Sequence, residues 1–125
     1  MTQLELGQRA ERRRRFNTTD AETLRQITGA ATPAGAVPEA LINALFSDLL
    51  GVDLPGRGTN YLKQETEFLA AVPLDQDIIA EIEIIRLRPD KHLVDLSTTC
   101  RLANGTPLAS GRALVLAKDV DGAWG

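Results

Sequence analysis

The fold is decided by a stretch near the middle of the chain, Pro55-Gly-Arg-Gly-Thr-Asn-Tyr-Leu-Lys-Gln-Glu-Thr-Glu-Phe-Leu-Ala-Ala-Val-Pro-Leu74. It predicts a glycine-rich turn, then a strand, then a second turn at Pro73. A longer strand is predicted over Asp77 to Arg88, because apolar and acidic residues alternate there. Its apolar face is predicted to comprise Ile78, Ala80, Ile82 and Ile84, opposite Glu81 and Glu83.

Two further strands are predicted downstream of this segment. One runs over His92 to Leu102, with Val94, Leu96, Thr98 and Cys100 on a single face, and the other over Leu108 to Ala117. Between them, Asn104-Gly105 favours a type I′ hairpin, which needs a positive φ at both central residues. Residues 119–125 are predicted to be a flexible tail.

Upstream, the pattern predicts a short edge strand over Gln8 to Phe16 and two helices. The first begins with the capping-box spacing of Thr19 and Glu22 and ends at Gly29. The second runs from Glu39 to Leu50, is apolar around most of its circumference and is therefore expected to be buried, with Gly51 ending it. A buried helix followed by an antiparallel meander indicates an α+β protein, with the sheet wrapped around one central helix.

The bulk properties indicate one soluble domain over residues 1–125. The chain is 43% hydrophobic and 25% charged, and its formal net charge of -3 disfavours binding to nucleic acid. The arginines at positions 12 to 15 are interpreted as a solvated strand or loop in preference to a polyanion site. A single cysteine excludes an internal disulfide and a cysteine-built zinc site. With no membrane span or signal peptide recognised, a cytoplasmic location without metal or cofactor is expected.

The central stretch resembles the MaoC-like, (R)-specific enoyl-CoA hydratase family, whose members have the hotdog fold. The resemblance rests on the turn and strand at Pro55, Gly56, Gly58, Tyr61, Leu62, Gln64 and Phe68, and on the helix end Leu45-Phe-Ser-Asp-Leu-Leu-Gly51. It extends from about Phe16 to Val115 and includes Asp20 and Thr28-Gly29. The resemblance implies acyl-thioester chemistry, a role in fatty acid metabolism and a dimer formed through sheet edges.

The chain departs from this family where the chemistry is done. Active members carry Asp-x-Asn-Pro-x-His in the loop after the first helix, and the Asp and His act as general base and acid. In this chain Ala30, Thr32 and Gly35 stand at the Asp, Asn and His positions, and Pro33 alone matches. The family's His-Gly at the start of the central helix is replaced by Pro38-Glu39. The resemblance therefore implies a hydratase without its catalytic dyad.

Three polar residues of the central helix remain as candidates for chemistry. Glu39 could activate water against a thioester, or attack it directly, as carboxylates near such a helix do in hotdog thioesterases. It is also a common first-turn residue, favoured by the helix dipole. Asp48 is a weaker catalytic candidate, and Asn43 could orient a water; both are equally interpretable as solvent or interface groups. The single histidine, His92, is interpreted as a surface or strand-edge residue.

Arg57 is the candidate for binding a phosphate. Glycines on either side, Gly56 and Gly58, would let the backbone approach a ligand, and arginine suits phosphate bidentately. With Arg86, Arg88 and Lys91 it could reach the phosphates of coenzyme A or of a carrier-protein arm. Four basic residues on separate turns are equally ordinary in a soluble protein.

These observations lead to three functional hypotheses. The first is an acyl-thioester binder, or the non-catalytic subunit of a hydratase or dehydratase, acting as a homodimer or as a heterodimer with a catalytic MaoC-like subunit. The second is an active enzyme, either a hydratase with unorthodox groups or an acyl-thioester hydrolase that uses Glu39. The third is a structural remnant without a ligand. The partner in the first two is an acyl-CoA or an acyl-carrier-protein thioester.

Overall fold

A computed structural model describes residues 3–28 and 36–125. Its elements in chain order are β1 (Arg9–Arg15), α1 (Thr18–Thr28), α2 (Glu39–Asp48), a π-helical turn (Leu49–Asp53), β2 (Asn60–Phe68), β3 (Asp77–Arg88), β4 (Leu93–Leu102) and β5 (Pro107–Leu116). The strands form one sheet in the order β1-β3-β4-β5-β2, and every neighbouring pair is antiparallel. The predicted strands, including the edge strand near the N-terminus, are therefore confirmed.

The sheet packs one face against α2, so the predicted α+β hotdog arrangement is confirmed. On that face every second residue of β3 and β4 is buried, as the alternation predicted. The buried residues are Ile78, Ala80, Ile82 and Ile84 of β3 and Val94, Leu96, Thr98 and Cys100 of β4. Burial raises the pKa of the Cys100 thiol to about 11, which fits its interpretation as a small core residue.

The central helix supplies the other half of the core. Ile42, Leu45 and Phe46 of α2 are buried, and each such side chain contributes about 1.5–3 kcal/mol of hydrophobic stabilisation. The prediction that Gly51 ends this helix is wrong. The chain continues through Gly51 in the π-helical turn Leu49–Asp53, because Leu49 and Leu50 remain fully packed in the core.

The first helix begins with a capping box two residues earlier than predicted. The Asp20 N–H donates to Asn17 Oδ1 at 2.9 Å, and the Asn17 N–H donates to Asp20 Oδ2 at 2.9 Å. The reciprocal pair is therefore Asn17 with Asp20, and the prediction of Thr19 with Glu22 was wrong. Asparagine is at least as good an N-cap as threonine. The predicted end at Gly29 lies outside the described residues, and α1 is described to Thr28.

The hairpin between β4 and β5 is not the predicted type I′ turn. Gly105 has a φ of 96°, whereas Asn104 is absent from the residues with positive φ in the described part of the chain. The Gly105 N–H donates to the Leu102 carbonyl at 2.9 Å, and Asn104 Oδ1 accepts from the Thr106 N–H at 2.9 Å. The side chain of Asn104 thus stabilises a longer loop, in which only the glycine must be left-handed.

The C-terminal segment, predicted to be a flexible tail, packs on the body of the protein instead. Val120 and Ala123 are buried, and the Leu4 N–H donates to the Ala123 carbonyl at 2.9 Å. Trp124 donates from Nε1 to the Ala117 carbonyl at 3.0 Å, and its ring lies 5.5 Å from the His92 ring. This packing was hard to predict from the sequence, because the segment contains only three apolar residues.

The arginine run is occupied by intramolecular contacts, in agreement with its non-functional interpretation. Arg13 and Arg15 both pair with Asp77, at 3.3 and 3.0 Å, and Arg14 lies over the Phe16 ring. Hydrogen bonds from Arg15 and Arg13 lower the pKa of the Asp77 carboxyl. Among the helices that the structure describes, none is both long enough and apolar enough to cross a membrane.

Candidate functional site

A cleft of about 580 Å³ opens between α2 and the edge strand β2. One helix face contributes residues three and four positions apart, which are Glu39, Ala40, Asn43, Ala44 and Ser47. The sheet contributes alternate residues of β2, which point to one side, together with the tyrosine at the start of the strand. These are Tyr61, Gln64, Thr66 and Phe68. Two predicted site residues, Glu39 and Asn43, therefore share this cleft.

A chain of hydrogen bonds runs through the cleft from the sheet to the helix. Gln64 donates from Nε2 to Thr66 Oγ1 at 2.8 Å and to Thr98 Oγ1 at 3.0 Å. Thr66 in turn donates to Asn43 Oδ1 at 2.9 Å, and the Tyr61 hydroxyl donates to Gln64 Oε1. Each member holds the next in one orientation, so the floor of the cleft is a preorganised polar surface.

Tyr61 is held as a neutral hydrogen-bond donor. Partial burial raises the pKa of its hydroxyl to about 12, because the phenolate is poorly solvated there. At neutral pH the group can donate a proton to a hydrogen bond but cannot act as a base. Its place in the network is to fix the amide of Gln64.

Glu39 is the one carboxylate among the described residues that line the cleft, and none of those residues is a histidine. Its side chain lies exposed in the first turn of α2, where the helix dipole favours a negative charge. The single histidine, His92, contacts Trp124 on another part of the surface. The cleft thus offers one solvated carboxylate and neutral hydrogen-bonding groups, with no paired acid and base among its described residues.

Asp48 does not join the cleft. Its carboxylate pairs with Arg12 of β1, which also contacts Asp53 at 3.2 Å, so it holds the end of α2 to the first strand. The earlier assignment of Asp48 as a catalytic candidate has no support in its surroundings.

Arg57 also lies away from the cleft and away from its expected basic partners. With Gly56 and Gly58 it lines a separate pocket that includes three aspartates, Asp53, Asp119 and Asp121. The structure does not bring it together with Arg86 and Arg88, which line another cleft on the sheet. A Cβ on Gly58 would lie 2.3 Å from the Asp119 carbonyl oxygen, so this glycine accommodates the C-terminal segment. The expectation that Gly56 and Gly58 let the backbone approach a ligand stays a prediction.

The network residues Gln64, Thr66 and Thr98 were not assigned to a site from the sequence. Tyr61 and Gln64 were noted as matching the family, but Thr98 is 34 residues away and was assigned to the core. Part of this network could have been predicted from β2 alone. Gln64 and Thr66 are polar, although their spacing along the strand places both on the face that packs toward the apolar core. Among the described residues, no three His, Cys, Asp or Glu side chains lie close enough together to hold a metal ion.

Comparison with curated proteins identifies relatives along most of the chain. The (R)-specific enoyl-CoA hydratase of Aeromonas caviae is 32% identical, over 90% of this chain and 94% of that protein. The chain belongs to the MaoC-like family of (R)-specific enoyl-CoA hydratases. A more distant member, the 3-hydroxybutyryl-CoA dehydratase of Methylorubrum extorquens, is 29% identical over 90% of this chain and 80% of that protein. No family model matches the chain.

Solved structures of (R)-hydratases have the same fold as this chain. The (R)-hydratase from A. caviae involved in PHA biosynthesis superposes with a TM-score of 0.85, at 30% identity, over 90% of this chain and 96% of that one. The unliganded R-hydratase from Pseudomonas aeruginosa gives a TM-score of 0.83 at 27% identity, over 90% and 81% of the two chains. The loop in which the family carries its Asp and His corresponds to residues 29–35, which lie outside the described residues.

Proposed function

We propose that this protein binds an acyl thioester in the cleft between α2 and β2 and does not hydrate it unaided. The observation that carries the proposal is the composition of the cleft, which combines a preorganised polar floor with a single solvated carboxylate. Hydration of an enoyl thioester needs one group to take a proton from water and another to protonate the α-carbon. Residues 29–35 are Gly, Ala, Ala, Thr, Pro, Ala and Gly, and none of these side chains can serve as either group at neutral pH.

The amide and hydroxyl groups of the floor suit the polar part of a thioester. Asn43 Nδ2 can donate to a carbonyl oxygen. The donors of Gln64 and Tyr61 are engaged within the network, but Gln64 Oε1 and the Tyr61 hydroxyl oxygen can accept from the amide N–H groups of a pantetheine arm. Phe68, Ala40 and Ala44 offer apolar surface for the acyl chain. Such a combination of apolar walls with a few fixed polar groups is typical of small-molecule sites.

The catalytic groups would come from a second, MaoC-like subunit. The cleft adjoins β2, which pairs with β5 on one side and has no strand partner along its other edge among residues 3–28 and 36–125. Leu62 of this strand is 52% exposed. The unpaired N–H and C=O groups of such an edge can template pairing with a strand of another chain. A partner placed there, in a heterodimer or a homodimer, would complete the open side of the cleft.

A second candidate function is hydrolysis of the thioester by Glu39. The observation in its favour is that Glu39 lies in the same cleft as the amide network, where its carboxylate can reach a water or a bound carbonyl group. In this alternative the amide N–H groups of Asn43, whose side chain is oriented by Thr66, would stabilise the oxyanion that forms during hydrolysis. The Glu39→Gln variant separates the two functions, since it abolishes hydrolysis and leaves binding of the thioester intact.

The test has two parts, carried out with the purified full chain. The first follows the enoyl absorbance of crotonyl-CoA, with thiol release measured in parallel; we expect neither to exceed the buffer background. The second measures binding of butyryl-CoA by calorimetry. We expect the Gln64→Glu variant to weaken binding by about tenfold, because a carboxylate cannot donate to Thr66 and Thr98 and so disorders the floor of the cleft. Glu67→Gln, on the opposite face of the same strand, is the matched control and should leave the affinity unchanged.

Hydration of crotonyl-CoA by the purified chain at a rate well above background would contradict the non-catalytic proposal. Release of thiol that is lost in Glu39→Gln would establish the hydrolase instead. Absence of any saturable butyryl-CoA binding by a folded sample would argue for the remnant hypothesis. Addition of a catalytic MaoC-like subunit then tests the partner model, which requires that the mixture hydrates crotonyl-CoA faster than the added subunit alone.

A further inference from the structure

The face of the sheet that points away from α2 carries a second cleft, with a positively charged lining. Its volume is about 290 Å³, and strands β2 to β5 all contribute to it. Four of the lining residues are cationic, Lys63, Arg86, Arg88 and Arg112, whereas two are anionic, Glu65 and Asp95. The cleft therefore has two excess positive charges, in a chain whose formal net charge is -3. This concentration of charge is opposite in sign to the protein as a whole.

The register of the sheet explains why these residues meet. Arg86 pairs with Asp95, Asp95 pairs with Leu114, and Leu114 pairs with Lys63, so the four form one row across the strands. Directly paired residues in an antiparallel sheet point to the same face. Because Val94 and Leu96 on either side of Asp95 are buried against the helix layer, this row lies on the outer face.

Asp95 holds the guanidinium groups in place. Its side chain is only 7% exposed, and Arg88 Nη2 donates to both of its oxygens, at 2.9 and 3.2 Å. Arg112 Nη2 lies 3.7 Å from the same carboxylate and has a side chain that is 55% exposed. A buried carboxylate is stable when one such hydrogen-bonded charged partner neutralises it. The second arginine is therefore additional positive charge, oriented by Asp95 and open to solvent.

Unused hydrogen-bond donors remain in the cleft. The exposed Arg86 side chain makes no ion pair within 4 Å in the part of the chain that the structure describes. Lys63 is partly neutralised by Glu65 at 3.0 Å. Arginine presents its donors in a rigid fork that matches the oxygens of a phosphate. Two forks oriented by one buried carboxylate, with a third arginine beside them, are an arrangement suited to a phosphate dianion or a diphosphate.

We propose that this cleft, built from Arg86, Arg88, Arg112 and Lys63 over the buried Asp95, is a binding site for phosphate esters. It is separate from the thioester cleft, because Lys63 and Glu65 lie on the opposite face of β2 from Gln64 and Thr66. The proposal does not rest on the proposed function. The nucleotide end of coenzyme A and a free phosphorylated metabolite share the required chemistry.

The experiment titrates pyrophosphate into the full chain by calorimetry at low ionic strength. We expect saturable binding that weakens as salt is added. Arg86→Gln should weaken it by about tenfold, because one charge-assisted contact is lost. Arg86→Gln is the primary variant, since this side chain supports no described ion pair and its loss should leave the thermal midpoint unchanged. Arg112→Gln is the second variant and should have an effect of similar size.

Arg101→Gln is the matched control. Arg101 lies on the same outer face and is paired with Glu11 and Glu81 at 3.4 and 3.7 Å, outside the cleft. Its replacement should leave pyrophosphate binding unchanged. Equal weakening by Arg101→Gln and Arg86→Gln would show a diffuse charge effect and overturn the proposal, as would the absence of saturable binding.

Coenzyme A, titrated in the same way, distinguishes the two sources of the phosphate. Tighter binding than pyrophosphate, lost in Arg86→Gln, supports the nucleotide end of a thioester carrier as the ligand. Binding of pyrophosphate that coenzyme A does not match supports a smaller phosphorylated metabolite. The Gln64→Glu variant should leave pyrophosphate binding intact, so failure of the thioester proposal and failure of this one are separately visible.

Discussion

The surroundings of Tyr61 allow a direct test of whether the polar floor of the cleft is ordered. Its hydroxyl donates to Gln64 Oε1, and partial burial raises its pKa to about 12. In the unfolded chain the same hydroxyl ionises near pH 10. Between pH 10 and pH 12 it is therefore protonated in the folded state and ionised in the unfolded state. Folding stability should therefore fall as pH rises from about 10 to about 12.

This titration can be read directly, because the chain contains a single tyrosine. We expect the tyrosinate absorbance of the folded protein to reach half its maximum near pH 12, and that of the urea-unfolded chain near pH 10. Tyr61→Phe is the control and should show no tyrosinate band in either state. A folded-state midpoint at or below 10 would mean that the hydroxyl is solvated, and that the ordered floor of the cleft is not formed.

Single residues of the cleft differ in how far the sequence could reveal them. Glu39 was found because it stands where the family carries His-Gly at the start of the central helix, and Asn43 because it lies on the narrow polar face of that helix. Thr98 could not be found, because its own strand places it in a row of core residues. Its hydroxyl gains a partner only through Gln64, and that contact depends on how β2 and β4 are placed on either side of β5. Periodicity within one strand carries no information about that placement.

At the level of the element, the start of α1 shows how a local rule can be correct and its register wrong. Both Asn17 with Asp20 and Thr19 with Glu22 satisfy the spacing of a capping box. The structure uses the first pair, because the Phe16 side chain just before it is buried and fixes where the helix begins. The burial that decides between the two is tertiary and is not visible in the four-residue motif.

The cap gives a prediction for stability. Asn17→Ala should lower the free energy of unfolding by about 1 kcal/mol, since the Asp20 N–H loses its acceptor. Thr19→Ala, at the position that the sequence favoured, should change it by less than about 0.5 kcal/mol, as for an ordinary surface substitution. Urea unfolding of the two variants and the parent measures both values. A larger loss in Thr19→Ala than in Asn17→Ala would restore the original capping box.

The end of α2 and the β4–β5 hairpin were mispredicted for a related reason. The prediction for Gly51 rested on the general preference of glycine for helix C-termini. The prediction for Gly105 rested on its preference for type I′ turns. In the structure, packing of Leu49 and Leu50 carries the chain past Gly51. A hydrogen bond from the Thr106 N–H to the Asn104 side chain selects a different loop. Glycine permits a conformation without requiring it.

For the whole molecule, the strands and the buried helix were predictable because their two periodicities are clear, whereas the order of the strands was not. β1 lies beside β3, and β2 lies beside β5, although neither pair is consecutive in the chain. The turn motif at Pro55 supplied the fold through resemblance to a family. The packed C-terminal segment and the positively charged outer cleft depend on contacts between distant residues, so neither followed from the pattern.

The sheet has two chemically different faces, and β2 contributes to both. Its inward residues line the cleft beside α2, while its outward residues Lys63, Glu65 and Glu67 are charged. Charged side chains discourage indiscriminate pairing along an exposed edge. They also allow selective pairing with a strand of complementary charge, which is the requirement for a dimer that forms at this edge.

Self-association through β2 can be tested from the register of its charges. Antiparallel pairing of two copies about a two-fold axis at Gln64 places Lys63 of one opposite Glu65 of the partner subunit, twice. Glu65→Lys would set two positive pairs in opposition and should raise the dimer dissociation constant by about tenfold. The charge swap Lys63→Glu with Glu65→Lys should restore the parent value in analytical ultracentrifugation.

Asp90→Lys, in the exposed β3–β4 turn, makes the same change in net charge as Glu65→Lys and should have no effect on the dimer dissociation constant. If the swap fails to restore the dimer, the two-fold axis lies at Glu65, where Lys63 faces Glu67 of the partner subunit. If the parent chain stays monomeric, self-association at this edge is excluded and a different subunit would have to cover it.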